Sequence, residues 1–244
     1  GLTREGALRE PRFGVLDYLL RGFHLQGERD LVFVPLGLNY DRVLEDRTQL
    51  LAGDAGAPRQ GRFAAALRTL GFAGQQLGLL LRSRWHRFGY ACVNFGTPVS
   101  ARAWCASRGI DFEQLPREQR QAEVAALGRH LMDQIGQLIP VLPVPLVATV
   151  LLRQGGQAIG ELELKSAVGA LVHDLGSRNA RLYLPRGDWD YAVGAGLRML
   201  TLRHLVDEAD GLFRARAEQT PLLRYYANSI AHLVDPGQAP APAI

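Results

Sequence analysis

The chain has 244 residues, of which 47% are hydrophobic, and its formal net charge at pH 7 is +4. This size and apolar content are typical of one large domain, or of one domain with a smaller companion, and exclude a disordered protein. The excess of positive charge is too small to predict nucleic-acid binding, because an anionic substrate or a membrane surface would suit it equally well. Two cysteines, Cys92 and Cys105, are too few for a disulfide framework and lack the spacing of metal ligands.

We interpret the rest of the chain relative to residues 31–42, LVFVPLGLNYDR. The apolar start predicts a strand buried on both faces, with Pro35 at an edge, a bulge or the strand's end because proline cannot donate to a ladder. Asn39, Tyr40 and Asp41 then turn polar together. Ligands gather at such strand ends in open α/β sheets, but the simpler interpretation is a core strand that leaves into solvent.

Apolar spacing and capping residues predict most of the remaining elements. A second buried strand is predicted at Phe88–Phe95 and a short one at Leu212–Arg216. Helices are predicted at Phe13–Phe23, Arg62–Arg84, Ser100–Gly109, Pro116–Ile139, Glu161–Leu175, Asp188–Val206 and Thr220–Val234. In the last two, Asp188 and Thr220 are the expected N-caps.

The apolar run Leu138–Leu152 contains three prolines and is shorter than the ~20 residues that a membrane-spanning helix needs. We therefore predict no transmembrane helix. Arg153–Gly160, RQGGQAIG, is the best candidate for a domain boundary. It would separate residues 1–152 from a mainly helical domain at 161–234, and residues 235–244 would form a disordered Pro/Ala tail.

No arrangement of side chains indicates catalysis by itself. None of the six histidines begins an H-x-x-x-x-D spacing, and the chain has no P-loop, nucleophile elbow or dinucleotide fingerprint. His130 with Asp133, and His232 with Asp235, are spaced to share a helix face, so we expect them to be surface pairs. Cys92 lies in an apolar strand, where we expect it to be a core residue.

Two groups of arginines are candidate anion-binding features. The opening segment concentrates Thr3, Arg4, Arg9 and Arg12 in a Gly-bearing loop, which can present backbone N–H groups and arginine forks to a phosphate. A solvated basic loop is the competing explanation. At the end of the helix predicted at Arg62–Arg84, a cluster of basic residues complements the partial negative charge of the helix's carbonyl end. As a secondary role, we expect the cluster to contact an acidic partner or an anionic lipid. This cluster consists of Arg82, Arg84, His86 and Arg87.

Four blocks, taken in order, resemble the glycerol-3-phosphate acyltransferases of bacterial phospholipid synthesis. GLTREG resembles the end of that family's E-G-G-x-S-R-x-G block, with Gly1, Thr3, Arg4 and Gly6 on the pattern. FVPLGLNYDRVLE resembles its next block, a strand with a central proline. YACVNFGTPV and LLRYYANSIAHL resemble two later blocks, the second near the C-terminus of the chain. Leu2 departs from the family, in which many members carry an arginine.

The resemblance implies an α/β fold: the C-terminal part of an acyltransferase sheet-and-helix domain, followed by a smaller, mainly helical domain. It implies acyl transfer from acyl-CoA or acyl-ACP to the 1-hydroxyl of glycerol 3-phosphate, with no metal or other cofactor. The substrate-binding residues would be Gly1, Thr3, Arg4 and Pro35. The family's catalytic H-x-x-x-x-D motif precedes the opening block, so this chain would hold no catalytic residue and would be inactive alone.

The same resemblance implies a peripheral protein on the cytoplasmic face of the inner membrane, with no nucleic-acid partner. A non-catalytic lipid- or protein-binding module derived from the same fold is the alternative. A nucleic-acid-binding role for the helical end, Glu161–Val234, is disfavoured because acidic residues dilute its basic ones.

Overall fold

The structure, a computed structural model, describes residues 3, 5–9, 11–43 and 89–235. Several predictions therefore lie outside the described residues: the helix at Arg62–Arg84 with its basic cluster, the roles of Gly1 and Arg4, and the disordered tail beyond Asp235. The other elements can be compared directly.

The described residues form a mixed α/β fold, as predicted. Its helices are α1 (Gly14–Arg21), α2 (Ala101–Arg108), α3 (Arg117–Leu138), α4 (Pro143–Arg153), α5 (Glu161–Ser177), α6 (Trp189–Leu202), α7 (Thr220–Asn228) and α8 (Ala231–Val234). Its strands are β1 (Val32–Phe33), β2 (Leu36–Tyr40), β3 (Ala91–Phe95), β4 (Val99–Ser100), β5 (Ile159–Gly160), β6 (Val206–Ala209) and β7 (Leu212–Ala215).

Local capping explains where several helices begin and end. Before α2, Ser100 accepts a hydrogen bond from the Ala103 amide, and Gly109 ends the helix in the left-handed conformation at φ 63°. Asp188 caps α6 by accepting from the amides of Asp190 and Tyr191. Asp188 is thus confirmed as a predicted N-cap.

The C-terminal helix prediction is partly wrong. A single helix was expected over Thr220–Val234, but the backbone leaves the helix at Ser229–Ile230, which separates α7 from α8. Thr220 is the first helical residue rather than the N-cap, and its hydroxyl donates back to the Arg216 carbonyl. The hydroxyl of a threonine at this position hydrogen-bonds to a nearby backbone carbonyl, so the sequence alone does not distinguish it from an N-cap residue.

The larger of the two hydrophobic cores surrounds α4. All nine residues from Pro143 to Leu151 are buried, and α4 packs against α5, α6 and α7. The proline-containing apolar run is thus the central helix of this core. Among the described residues, no helix has the length and apolar character needed to cross a membrane. The domain boundary at Arg153–Gly160 stays a prediction, although this core includes residues on both sides of it.

The smaller core joins α1, α2 and α3 through Leu20, Cys105, Phe112 and Leu127, all essentially inaccessible to solvent. The antiparallel pair β1–β4 lies beside it. Beyond α4, a three-stranded sheet has the order β5-β7-β6. We predicted only β7; β5 and β6 were missed because each is short and carries little apolar alternation.

β2 and β3 form an antiparallel ribbon in which Leu36 lies opposite Phe95 and Tyr40 opposite Ala91. Burial alternates along both strands, so the prediction of strands buried on both faces is wrong. Pro35 lies between β1 and β2, outside either ladder, as its missing N–H requires.

Candidate functional site

The inner face of the β2–β3 ribbon lies against the C-terminal end of α3. A Cβ added at Gly37 would lie only 2.3 Å from the backbone carbonyl of Leu138. The backbone of β2 is therefore in direct contact with the last turn of α3. Beside it, the Asn94 amide donates to the same carbonyl at 2.8 Å. This hydrogen bond satisfies one of the carbonyl groups that a helix leaves free at its C-terminus.

Asn39 continues this inner face and connects the ribbon to the larger core. Its side chain is 4% exposed, and its Nδ2 donates to the Pro140 carbonyl at 2.9 Å and to Ser229 Oγ at 3.2 Å. Its Oδ1 accepts from the Tyr40 amide at 2.9 Å. The buried amide is therefore satisfied on both of its ends, which a buried polar group requires.

Asp41, only 3% exposed, lies at the N-terminus of α4. Its Oδ1 accepts from the Val144 amide at 2.9 Å and its Oδ2 from the Tyr90 amide at 3.1 Å. The Asp41 carboxylate thus accepts a hydrogen bond from a free N–H group at the start of α4, although Asp41 precedes Val144 by 103 residues in the sequence. Burial raises the pKa of Asp41 to about 6, and the two N–H donors only partly offset that cost.

Asn39 and Asp41 therefore do not leave into solvent, which was the simpler interpretation of their polar stretch. They are buried, and they join the ribbon to α4 and to the Ser229 break between α7 and α8.

The opening segment packs on α7. Gly6 has φ +84°, and a Cβ there would lie 2.0 Å from the Tyr225 carbonyl oxygen, so only glycine fits. Asn228 donates to the Glu5 carbonyl at 2.8 Å. Thr3, a predicted substrate-binding residue, is half-buried, and its hydroxyl accepts from the Ala7 amide at 3.0 Å.

A groove of about 810 Å³ opens where these segments meet. Its walls include Leu8 after the opening block, Gly96 from the third block and His232 from the fourth, with Arg181 at the rim. Pro35 is buried directly behind Gly96, whose amide donates to the Pro35 carbonyl at 2.9 Å. Residues of the third and fourth blocks thus line one concave surface, with Leu8 just after the opening block and Pro35 of the second block behind Gly96.

His232 faces α3 from this groove, so its prediction as a surface partner of Asp235 is wrong. Its Nε2 lies 3.0 Å from the Gly136 carbonyl, and burial lowers the pKa of the imidazole. Asp235 instead lies 3.5 Å from Arg153. The other predicted surface pair is also wrong in its partner: His130 is exposed but contacts Gln134 at 2.8 Å.

A second cavity, of about 910 Å³, lies between the end of β2 and α6. Asp41 and Tyr90 line one side, and the cationic side chains of Lys165, Arg186 and Arg198 line the other. Lys165 is held by Glu161 at 3.0 Å and Asp190 at 3.1 Å, and these acidic side chains offset its charge.

The described residues lack an arrangement that could activate a hydroxyl nucleophile. Their one histidine–carboxylate contact, His24 to Glu113 at 3.0 Å, is exposed on both sides and lies outside the groove. No group of three metal-ligating side chains occurs among residues 3–43 and 89–235 as described.

The predicted binding roles of Gly1, Thr3, Arg4 and Pro35 stay predictions. Gly1 and Arg4 lie outside the described residues. Thr3 is hydrogen-bonded to the Ala7 amide and Pro35 lies behind Gly96, and neither lines the groove. The structure adds Asn39, Asp41 and Asn228, whose side chains bind the Pro140 carbonyl, the N-terminus of α4 and the opening segment. Their one sequence signal was a polar residue in an apolar context, which is compatible with a turn, a ligand or a buried hydrogen bond.

Comparison with known proteins assigns the family. The family model for the glycerol-3-phosphate acyltransferase C-terminal region matches residues 75–236. Glycerol-3-phosphate acyltransferases from Pseudomonas entomophila and Pseudomonas putida are 27% and 25% identical to this chain. Each alignment covers 96% of the chain but 28% of the relative, so the chain spans somewhat over a quarter of their length. The chain belongs to the glycerol-3-phosphate acyltransferase C-terminal region family.

Proposed function

We propose that this chain forms part of a glycerol-3-phosphate acyltransferase, which transfers an acyl group from acyl-CoA or acyl-ACP to the 1-hydroxyl of glycerol 3-phosphate. The observation that carries the proposal is the family match, together with a groove lined by residues of the third and fourth family-like blocks. The product would be 1-acylglycerol 3-phosphate.

In this reaction the histidine of an H-x-x-x-x-D motif outside this chain accepts the proton of the 1-hydroxyl, and its aspartate orients the imidazole. The hydroxyl oxygen then attacks the thioester carbonyl. The carbon–sulfur bond breaks, and the thiol leaves with the proton. This chain supplies the binding surface: Arg4 would hold the phosphate, and Pro35 would shape the floor behind Gly96.

We also propose that the protein acts at the cytoplasmic face of the inner membrane as a peripheral protein. Support comes from the chemistry, since the acyl product partitions into a bilayer, and from the basic cluster Arg82, Arg84 and Arg87, which suits anionic lipid or an acidic carrier protein. Reversing these three charges should reduce partition onto anionic vesicles or weaken acyl-ACP kinetics. If both are unchanged, the cluster has no such role.

The alternative, a non-catalytic binding module, is supported by one observation: no histidine in the chain begins an H-x-x-x-x-D spacing. The two candidates differ in what accompanies the chain in the encoded protein. An intact H-x-x-x-x-D motif supports the enzyme, and a degraded one supports the module.

The proposed phosphate contact is tested in the full encoded protein by replacing Arg4 with alanine. Loss of a charge-assisted contact should raise the KM for glycerol 3-phosphate by about tenfold or more. Arg29→Ala, at an exposed arginine outside the opening segment, is the control and should change this KM by less than about twofold. Equal effects of the two variants would contradict the assignment.

A further inference from the structure

The outer face of the β2–β3 ribbon is apolar along its whole length. Phe95 is 71% exposed, and the other four large side chains of this face are 36–45% exposed: Leu36, Leu38, Tyr40 and Val93. The register places Leu36 opposite Phe95, Leu38 opposite Val93 and Tyr40 opposite Ala91. Every cross-strand pair on the outer face is therefore apolar or aromatic.

The inner face has the opposite character. Its positions are Gly37, Asn39, Cys92 and Asn94, and the two asparagines are held by carbonyl groups around the end of α3. An antiparallel sheet with one solvated face normally turns its apolar side inward and its polar side outward. This ribbon is inverted, which indicates that its outer face is covered in the working protein.

The edges of the ribbon also indicate that more protein packs against it. Within the described sheet, β2 and β3 have only each other as neighbours. A two-stranded ribbon is marginally stable by itself, and an exposed apolar one is a template for further pairing. Both its face and its edges therefore suit the addition of more protein.

The chemistry of the face limits the choice of partner. It carries no charged side chain, so it lacks the basic residues that would draw an anionic lipid surface or an acidic carrier protein. An apolar protein surface is the better match. In the relatives, more than two thirds of the polypeptide lies outside the region that this chain matches.

We propose that the outer face of the ribbon is covered by the catalytic segment of the same polypeptide, the part that carries the H-x-x-x-x-D motif. This inference rests on the proposed function. It gives the ribbon a positioning role: the inner face holds the end of α3, and the outer face holds the segment that supplies the base. A second copy of the chain would cover the same residues but would not bring a base to the groove.

The proposal is tested by cysteine labelling with a maleimide in a Cys92→Ser background, where Cys105 is buried. Val93→Cys reports on the outer face. Leu212→Cys, at a residue 48% exposed on β7, is the matched control. In the chain alone, both should label at rates within about threefold of each other. In the full encoded protein, labelling at position 93 should slow by about tenfold or more while position 212 is unchanged.

Equal labelling of position 93 in the chain and in the full protein would overturn the proposal. So would slow labelling in the chain alone: if it depends on concentration, a second copy covers the face, and if it does not, another part of this chain does. Acyl transfer measured on the same preparations separates the two claims. Protection without turnover retains the interface and contradicts the proposed function, whereas turnover without protection does the reverse.

Discussion

The α4 helix and the outer face of the β2–β3 ribbon are both apolar, but only the helix is buried. Every residue from Pro143 to Leu151 is buried by helices of the same chain. The ribbon buries its polar side and exposes its apolar side. An apolar run therefore identifies a surface that must be covered, but it does not say which part of the protein covers it. Among the described residues, the C-terminal region closes its own core, whereas the outer face of the ribbon stays uncovered.

The largest expected effect is in the larger core. Leu151 is 1% exposed, so Leu151→Ala should lower the free energy of unfolding by about 2–5 kcal/mol, through lost burial and a cavity. Phe95→Ala on the ribbon should cost less than about 0.5 kcal/mol in the chain alone, although phenylalanine is the larger side chain. Urea denaturation of both variants measures the contrast. Equal costs would contradict the comparison.

Asp41 should make the junction between the two regions depend on pH. Its folded-state pKa is raised from 3.8 to about 6, so the folded state keeps a proton that the unfolded state has lost. This contribution to stability is complete below the unfolded-state pKa and is lost as pH rises through about 6. The loss is at most about 3 kcal/mol.

Asp41→Asn should remove that dependence. The free energy of unfolding of each protein is measured by urea denaturation at intervals from pH 4 to 7. The value for wild type minus the value for Asp41→Asn should therefore fall as pH rises. Asp133→Asn, at an exposed residue of α3, is the control and should leave the slope unchanged. A difference between wild type and Asp41→Asn that is constant across this range would show that Asp41 is not buried as described.

Gly37→Ala tests the close contact of the ribbon with α3. The added Cβ would lie 2.3 Å from the Leu138 carbonyl, so either the strand or the helix end must move. We expect a loss of about 1–3 kcal/mol in thermal or urea unfolding. An unchanged midpoint would mean that the two backbones are farther apart than described.

Gly194→Ala is the matched control and has the smallest expected effect. Gly194 lies within α6, with no atom within 4 Å of the added Cβ. Because alanine is the better helix former, we expect a gain of about 0.5–1 kcal/mol, measured in the same way. A loss would indicate that α6 packs more closely there than described.

Much of the helical architecture could be predicted because its signals are local. Apolar periodicity and the residues Ser100, Gly109, Pro116 and Asp188 were sufficient to place α2, α3 and α6. The strands β5 and β6 were not predicted: β5 has only two residues, and β6 carries two acidic residues and begins at Val206, where the sequence predicted the end of a helix that in fact stops at Leu202.

The site was harder to predict than the fold, since its polar contacts join residues far apart in sequence. Asn39 reaches Ser229 across 190 positions, and Asp41 reaches Val144 across 103. No spacing rule connects such residues. His232 was predicted to face solvent because helical spacing places it beside Asp235, but α8 is short and turns it toward α3.

Acyl transfer is the most direct test of the central claim, that this chain shapes a binding surface whose base lies elsewhere in the protein. The incorporation of labelled glycerol 3-phosphate into 1-acylglycerol 3-phosphate should be measured for the isolated chain and for the full encoded protein, with the same acyl-CoA. We expect turnover by the full protein and none by the chain. Turnover by the isolated chain, or its absence from a folded full protein supplied with acyl-CoA and acyl-ACP, would contradict the account.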